Sequence, residues 1–126
     1  MNSSNNTETL RNAWEALARS DWDALAAFYS KDMTFVIPGQ NDVLRGRSAF
    51  RSALESIGDA LPPGFEITDL RYFSGENEDE IVNVVEWKST KFPHGTQSAI
   101  LWKFNTKGEI TEERWYVDTE QWKAAF

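Results

Sequence analysis

The 126-residue sequence contains no cysteine. A disulfide framework, a thiolate nucleophile and any cysteine-ligated metal are therefore excluded. Its single histidine, His94, is too few for a histidine-rich metal site, and in Phe92-Pro-His-Gly95 it reads as an exposed turn residue. Positive charge is in short supply: 13 Lys and Arg stand against 20 Asp and Glu, for a formal charge of −7 and a pI near 4.7. That sign opposes phosphate backbones and acidic lipid surfaces, so neither nucleic acid nor a membrane is expected as a partner. No apolar run approaches the ~20 residues that cross a bilayer. The polar stretch from Asn2 to Thr7 lacks the apolar core of a secretory signal, and residues 1–7 are expected to be disordered. No glycine-rich phosphate loop is present, and Glu76–Glu80 lacks the glycine and terminal glutamate of a calcium loop. No metal and no organic cofactor are expected. The class that remains is an acidic, cytoplasmic globular protein of one domain, residues 1–126, long enough to bury about two-thirds of its extended surface.

What the sequence has in excess is tryptophan, six residues in all. Leu10, Ala13, Trp14, Leu17 and Ala18 recur at helical spacing, behind Thr7 or Thr9 as a cap. Ser20-Asp21 caps a second helix whose stripe is Trp22, Leu25, Ala26 and Tyr29, running to Lys31-Asp32. A short β-prone run, Met33–Ile37, stops at Pro38-Gly39, and a third helix after Gly46 carries Phe50, Ala53, Leu54 and Ile57 on one face. Beyond Pro62-Pro63-Gly64 the period changes to two. Phe65–Ser74, Ile81–Lys91, Thr96–Asn105 and Glu109–Val117 read as four strands of an antiparallel meander, and helices before sheet make an α+β pattern.

Two turns set the expected registers. With Pro93-His94 at the centre of one, Asn83 faces Phe104, Val85 faces Trp102, Trp87 faces Ile100 and Ser89 faces Ser98. With Lys107-Gly108 at the centre of the next, Phe104 faces Thr111, Trp102 faces Glu113, Ile100 faces Trp115 and Lys103 faces Glu112. Both turns put Val85, Trp87, Ile100, Trp102, Phe104 and Trp115 on one surface, which the helices, with Trp14, must cover. The reverse face holds Val82, Val84, Ala99, Leu101 and Tyr116 with nothing left to cover it, which points to a homodimer through the outer sheet face.

Glu113 breaks the apolar pattern. Among the indoles, desolvation raises a carboxylate's pKa, and general acids and bases are tuned this way; at the rim, the same residue is solvated and idle. Tyr29 and Asn83 are the other polar groups able to orient a ligand oxygen, with core burial and a strand-end amide as their plain alternatives. Asp118 is a weaker catalytic candidate, because Asp118-Thr-Glu-Gln121 reads as a capping box opening a short helix.

These features have a familiar order. Trp14, Ser20-Asp-Trp-Asp23, Phe35-Val-Ile-Pro-Gly39, Leu44-Arg-Gly46 and Gly108-Glu-Ile…Arg114-Trp-Tyr-Val-Asp118 resemble the nuclear transport factor two-like superfamily, and within it the SnoaL-like polyketide cyclase family. Limonene epoxide hydrolase and ketosteroid isomerase are relatives. The resemblance spans nearly the whole chain and implies a curved antiparallel sheet wrapped around a conical pocket under three N-terminal helices, a cystatin-like α+β barrel roll that commonly dimerises. Its chemistry does not carry over. The isomerase's base position is Ile37 here and its second acid falls near Ile100. The epoxide hydrolase's middle-strand Arg and Asp fall on Val85 and Trp87, and the last-strand Asp of that enzyme and of SnoaL falls on Trp115.

Three functions stay open on this reading. One is proton-transfer catalysis (isomerase, cyclase or dehydratase type) on a small hydrophobic molecule, with Glu113 as acid or base. Trp14, Val85, Trp87, Ile100, Trp102 and Trp115 would then be walls, and Tyr29 or Asn83 the polarising group. The second is ligand binding without catalysis. The third is a dimerisation module whose hollow its own side chains fill.

Overall fold

The computed structural model describes residues 3–36, 43–59, 64–77, 79–118 and 120. Its elements are α1 (Ser3–Ala18), α2 (Trp22–Ala26), β1 (Tyr29–Val36), β2 (Leu44–Arg45), α3 (Arg47–Asp59), β3 (Glu66–Ser74), β4 (Glu80–Lys88), β5 (Thr96–Phe104) and β6 (Ile110–Tyr116). The strands form one sheet in the order β2-β1-β6-β5-β4-β3, and the helices cover one of its faces. The architecture is the expected α+β one: a curved, unclosed sheet under three helices. Every pairing is antiparallel except that of β1 with β6, which is parallel.

Helix α1 begins at Ser3, and Thr7 and Thr9 lie inside the helix rather than capping it. The Thr9 hydroxyl donates back to the Asn5 carbonyl at 3.1 Å, the usual way a threonine is accommodated in a helix. Leu10, Ala13 and Ala16 are buried, Trp14 and Leu17 half-buried, and Ala18 turns out to be exposed. Asp21 caps α2 as expected, its Oδ1 accepting the Ala24 N–H at 3.2 Å. The second helix is shorter than its stripe suggests. It ends at Ala26, and Tyr29 opens β1 instead of closing the helix. The aromatic and β-branched run from Tyr29 to Val36 finds a ladder partner in β6, and tertiary pairing overrides helical spacing.

The hairpin registers differ in an instructive way. Between β4 and β5 the chain reverses at Thr90-Lys91, where Ser89 and Phe92 exchange backbone hydrogen bonds at 3.4 and 3.2 Å. Pro93-His94 do form a turn, closed by Gly95 N–H to the Phe92 carbonyl at 3.0 Å, but as an excursion beyond the reversal. A proline-initiated turn is type I or II, whose twist splays paired strands, so it does not close the hairpin. Asn83 therefore faces Ile100, Val85 faces Ser98 and Trp87 faces Thr96, four residues from the expected partners. A displacement by an even number keeps every side chain on its face.

Between β5 and β6, Trp102 faces Glu113, Ile100 faces Trp115 and Lys103 faces Glu112, as the sequence implies. The loop is one residue longer than a two-residue turn. Asn105 N–H donates to the Glu109 carbonyl, and Gly108, at φ +81°, supplies the left-handed residue that such a loop requires. Phe104 consequently pairs with Ile110, and a bulge beside it restores the expected register further along β6.

The inner face is the core. Ile81, Val85, Trp87, Ile100, Trp102, Phe104 and Ile110 pack with Leu10, Leu25, Met33, Phe50 and Leu54 from the helices and β1. On the outer face Val82, Val84, Ala99 and Leu101 are half-buried, while Phe73 and Tyr116 are each 49% exposed. Removing the α2 cap with Asp21→Ala should lower the unfolding free energy by about 1 kcal/mol, measured by urea denaturation; no change would mean that α2 is held by packing alone.

Candidate functional site

Glu113 lies in the middle of β6, on the inner face. Trp102 is its cross-strand neighbour on one side and Phe35 its parallel partner on the other. It is 5% exposed, and both carboxylate oxygens are engaged. The Tyr29 hydroxyl donates to Oε1 at 2.5 Å, and the Trp115 indole N–H donates to Oε2 at 2.6 Å. Tyr29 is itself buried, its ring 4.4 Å from Phe50 and 6.5 Å from Trp102 between ring centres. Its backbone carbonyl accepts from Arg47 Nη1 at 3.3 Å, which ties the start of β1 to α3.

Desolvation pushes the Glu113 pKa up, from 4.5 to about 7, against the opposing pull of the Tyr29 and Trp115 hydrogen bonds. The Tyr29 phenol is raised well above its ordinary value, first by burial and then by the adjacent carboxylate. Near neutral pH the site therefore holds an acid poised between its two forms beside a phenol that keeps its proton. Such a pair can accept a proton, return it, and donate a hydrogen bond to a developing oxyanion.

A second polar cluster lies one row along the sheet. Asn83 Oδ1 accepts two indole N–H groups, from Trp102 at 2.8 Å and Trp14 at 3.1 Å, and its Nδ2 donates to the Arg71 carbonyl at 3.1 Å. The Trp14 and Trp102 rings meet edge to face at 6.2 Å. Asn83 thus pins α1 to the sheet, and both acceptor positions of its oxygen are filled by indoles. Trp87 donates to Ser98 Oγ at 3.2 Å and stands between Phe65 and Phe92.

Among the residues expected at the site, Tyr29, Glu113 and Trp115 come together, as do Trp14, Asn83 and Trp102. Val85, Trp87, Ile100 and Trp102 are packed into the core, whereas Trp14 and Trp115 keep half-exposed surface. Asp118 is exposed, its Oδ1 accepting the Glu120 N–H at 3.0 Å; Gln121, the other half of the expected capping box, lies outside the described residues, as does Ile37. His94 is exposed. Sequence reading missed the bond between Tyr29 and Glu113, because it depends on the parallel pairing of β1 with β6, for which no turn gives a register. Phe50, which packs on the Tyr29 ring, and Phe35, which packs on Phe50, carry no sequence signal beyond that of helix and strand hydrophobics. A separate open groove of about 520 Å³ lies between α2 and α3, lined by Asp23, Ala26, Ala27, Arg47, Ser48 and Arg51, and contains none of the expected site residues. Among the described residues no group of three or more His, Asp or Glu is placed to hold a metal, and no helix is long and apolar enough to cross a membrane.

The family model of the SnoaL-like domain matches residues 10–113. Solved structures share the fold over nearly the full length. A candidate polyketide cyclase from Xanthomonas campestris pv. campestris superposes with a TM-score of 0.78 at 22% identity, covering 99% of this chain and 98% of that one. A protein from a soil-derived mobile gene cassette gives 0.80 at 16% identity, covering 98% and 97%. A Mycobacterium tuberculosis protein in complex with estradiol-17β-hemisuccinate gives 0.71 at 19% identity, covering 92% and 95%. None of the curated proteins matches the sequence.

The shifted carboxyl has a consequence for stability. Between pH 4.5 and about 7 the folded state holds a proton on Glu113 that the unfolded chain has released. Folding stability therefore falls as pH rises through that window, by about 3 kcal/mol for a shift of this size. In Glu113→Gln that decline should be absent, so the variant should match or exceed the parent in urea midpoint at pH 8. A slope that survives the substitution would place the linkage on another group.

Proposed function

The chain belongs to the SnoaL-like domain family, and on that premise we propose that it holds a small hydrophobic molecule beneath its helices and moves a proton on it through Glu113. The observation that carries this reading is the buried carboxyl itself, clasped by Tyr29 and Trp115. A carboxylate withdrawn from water costs folding energy, and the sites where that cost is useful are those that need an acid or base near neutral pH. Fold relatives that include a candidate polyketide cyclase and a steroid-bound protein favour a hydrophobic, ring-containing substrate.

The roles divide by geometry. Glu113 is the proton acceptor and donor. Tyr29, whose hydroxyl is 2.5 Å from Oε1, stays protonated and offers a hydrogen bond to a substrate oxygen as charge develops there. Trp115 is half-buried and its indole N–H occupies Oε2, which leaves Oε1, beside the Tyr29 hydroxyl, as the oxygen that exchanges a proton with the substrate. Trp14, Val85, Trp87, Ile100 and Trp102 supply the apolar surround that keeps the dielectric low, and Asn83 fixes two of those indoles. Asp118 acts as a turn-forming residue at the chain's C-terminal end rather than as an acid. The reaction class is proton transfer of the isomerase, cyclase or dehydratase type, with no cofactor. Binding without turnover is the second reading, favoured by the apolar residues at the relatives' catalytic positions.

A direct measure is hydrogen–deuterium exchange at the α-carbon of a hydrophobic cyclic ketone in D2O, followed by mass spectrometry. Exchange should rise with pH through about 7 and fall by roughly 100-fold or more in Glu113→Gln. Binding, read from indole fluorescence, should persist in that variant. Binding without exchange in the parent protein would leave the second reading.

The outer sheet face, with Val82, Val84, Leu101 and Tyr116, is the expected homodimer surface. Sedimentation should give a dimer that Leu101→Glu dissociates, and a parent chain that sediments as a monomer would end that assignment.

A further inference from the structure

Among the described residues, the buried polar side chains are paired, with one exception. The indoles of Trp14 and Trp102 serve Asn83, that of Trp87 serves Ser98, and Glu113 takes Tyr29 and Trp115. Among the described residues, the only buried side-chain nitrogen and oxygen atoms with no hydrogen-bond partner are the Nδ2 and Oδ1 of Asn6. Asn6 is 1% exposed, out of reach of bulk solvent. A carboxamide offers two donors and two acceptor positions, all satisfied by water in the unfolded chain and none met by a protein group here. Interiors rarely keep such a group idle, and an unfilled partner is the usual explanation.

Its position says where that partner would sit. Asn6 is one turn before Leu10 and two before Ala13, on the buried stripe of α1. Trp14, eight residues on, reaches down to Asn83 and Trp102. Asn6 is thus on the sheet-facing side of the same helix, about 12 Å further along its axis, at the end away from the junction with α2. It belongs to the buried face of α1, the face that also carries Leu10 and Ala13.

We propose that Asn6 is the polar anchor of the ligand site, its carboxamide hydrogen-bonding a carbonyl or hydroxyl oxygen on an otherwise apolar molecule. The inference rests on the hydrophobic-ligand reading above and narrows it. Because the four inner indole N–H groups are spent on protein acceptors, the tryptophans offer a ligand ring faces only. Asn6 would then help to separate an oxygenated ligand from a hydrocarbon of the same shape, since a site with an unpaired buried amide discriminates against the analogue that cannot pair with it.

Two probes of equal shape test the idea on the full chain: decalone and methylenedecalin, which differ in C=O against C=CH2. Indole fluorescence titration of the parent protein should show the ketone binding about tenfold or more tightly. Asn6→Leu, close in volume and apolar, should lose that preference while its thermal midpoint rises by about 5 °C. Equal binding of the two probes by the parent protein overturns the anchor and leaves the hydrophobic site standing. So does an unchanged preference, or a lowered midpoint, in Asn6→Leu. No response to either probe removes the hydrophobic site as well. Tyr29→Phe, which removes the other hydroxyl able to meet a ligand oxygen, should keep the ketone preference, and its loss there would overturn Asn6 as the anchor even where Asn6→Leu does not fold.

Discussion

A carboxylate cannot stay in an apolar interior unless the chain brings donors to it, and the arrangement around Glu113 organises this protein. Its two donors come from different strands. Tyr29 begins β1, and Trp115 lies two residues along β6 on the same face. Tyr29 reaches Oε1 only because β1 runs parallel to β6, with Tyr29 opposite Ile110 and Phe35 opposite Glu113. The connection that returns β1 to that place includes α3, whose Phe50 seals the ring of Tyr29 and whose Arg47 holds its carbonyl. Burial of one acid therefore draws on β1, β6 and α3 together.

The indoles solve a related problem. Tryptophan brings a large apolar surface and one N–H that needs an acceptor when buried. Asn83, Ser98 and Glu113 are those acceptors, all on the inner face. Asn83 does the most: with one oxygen it satisfies an indole of the sheet and an indole of α1, and its amide nitrogen crosses to β3. The same contact that pairs Trp102 fastens the helical cover.

Much of this was legible in the sequence because sheet faces depend on parity, not on partner identity. The β4–β5 register was four residues out, yet Val85, Trp87, Ile100 and Trp102 fell on the correct face. The β5–β6 register was right at Trp102 and Glu113 because a longer loop and a bulge beside Phe104 compensate for each other. What escaped were the features with no local signal. Tyr29 fits the stripe of α2 as well as it fits a strand, and only β6 decides between them. Asn6 sits in a polar stretch that composition reads as disorder, and only its place on the buried stripe of α1 gives it meaning. The outer face illustrates the converse: its apolar residues were legible, but the surface that would cover them is not written in one chain.

The pairing around Glu113 also couples its protonation to the phenol. An indole nitrogen donates and never accepts, so Oε2 must remain an acceptor in both protonation states. When Glu113 takes up a proton, the proton belongs on Oε1, facing the Tyr29 oxygen, which then changes from donor to acceptor. The phenolic hydrogen is freed to point elsewhere at the moment the acid is charged with its proton. Loss of the proton from Glu113 reverses both bonds. The two residues thus form one element with two hydrogen-bond arrangements, and a substrate oxygen near Tyr29 would receive its hydrogen bond in the arrangement where Glu113 has already taken the proton. Abstraction and oxyanion stabilisation would in this way follow from one rearrangement of two buried side chains, with Trp115 fixing its direction.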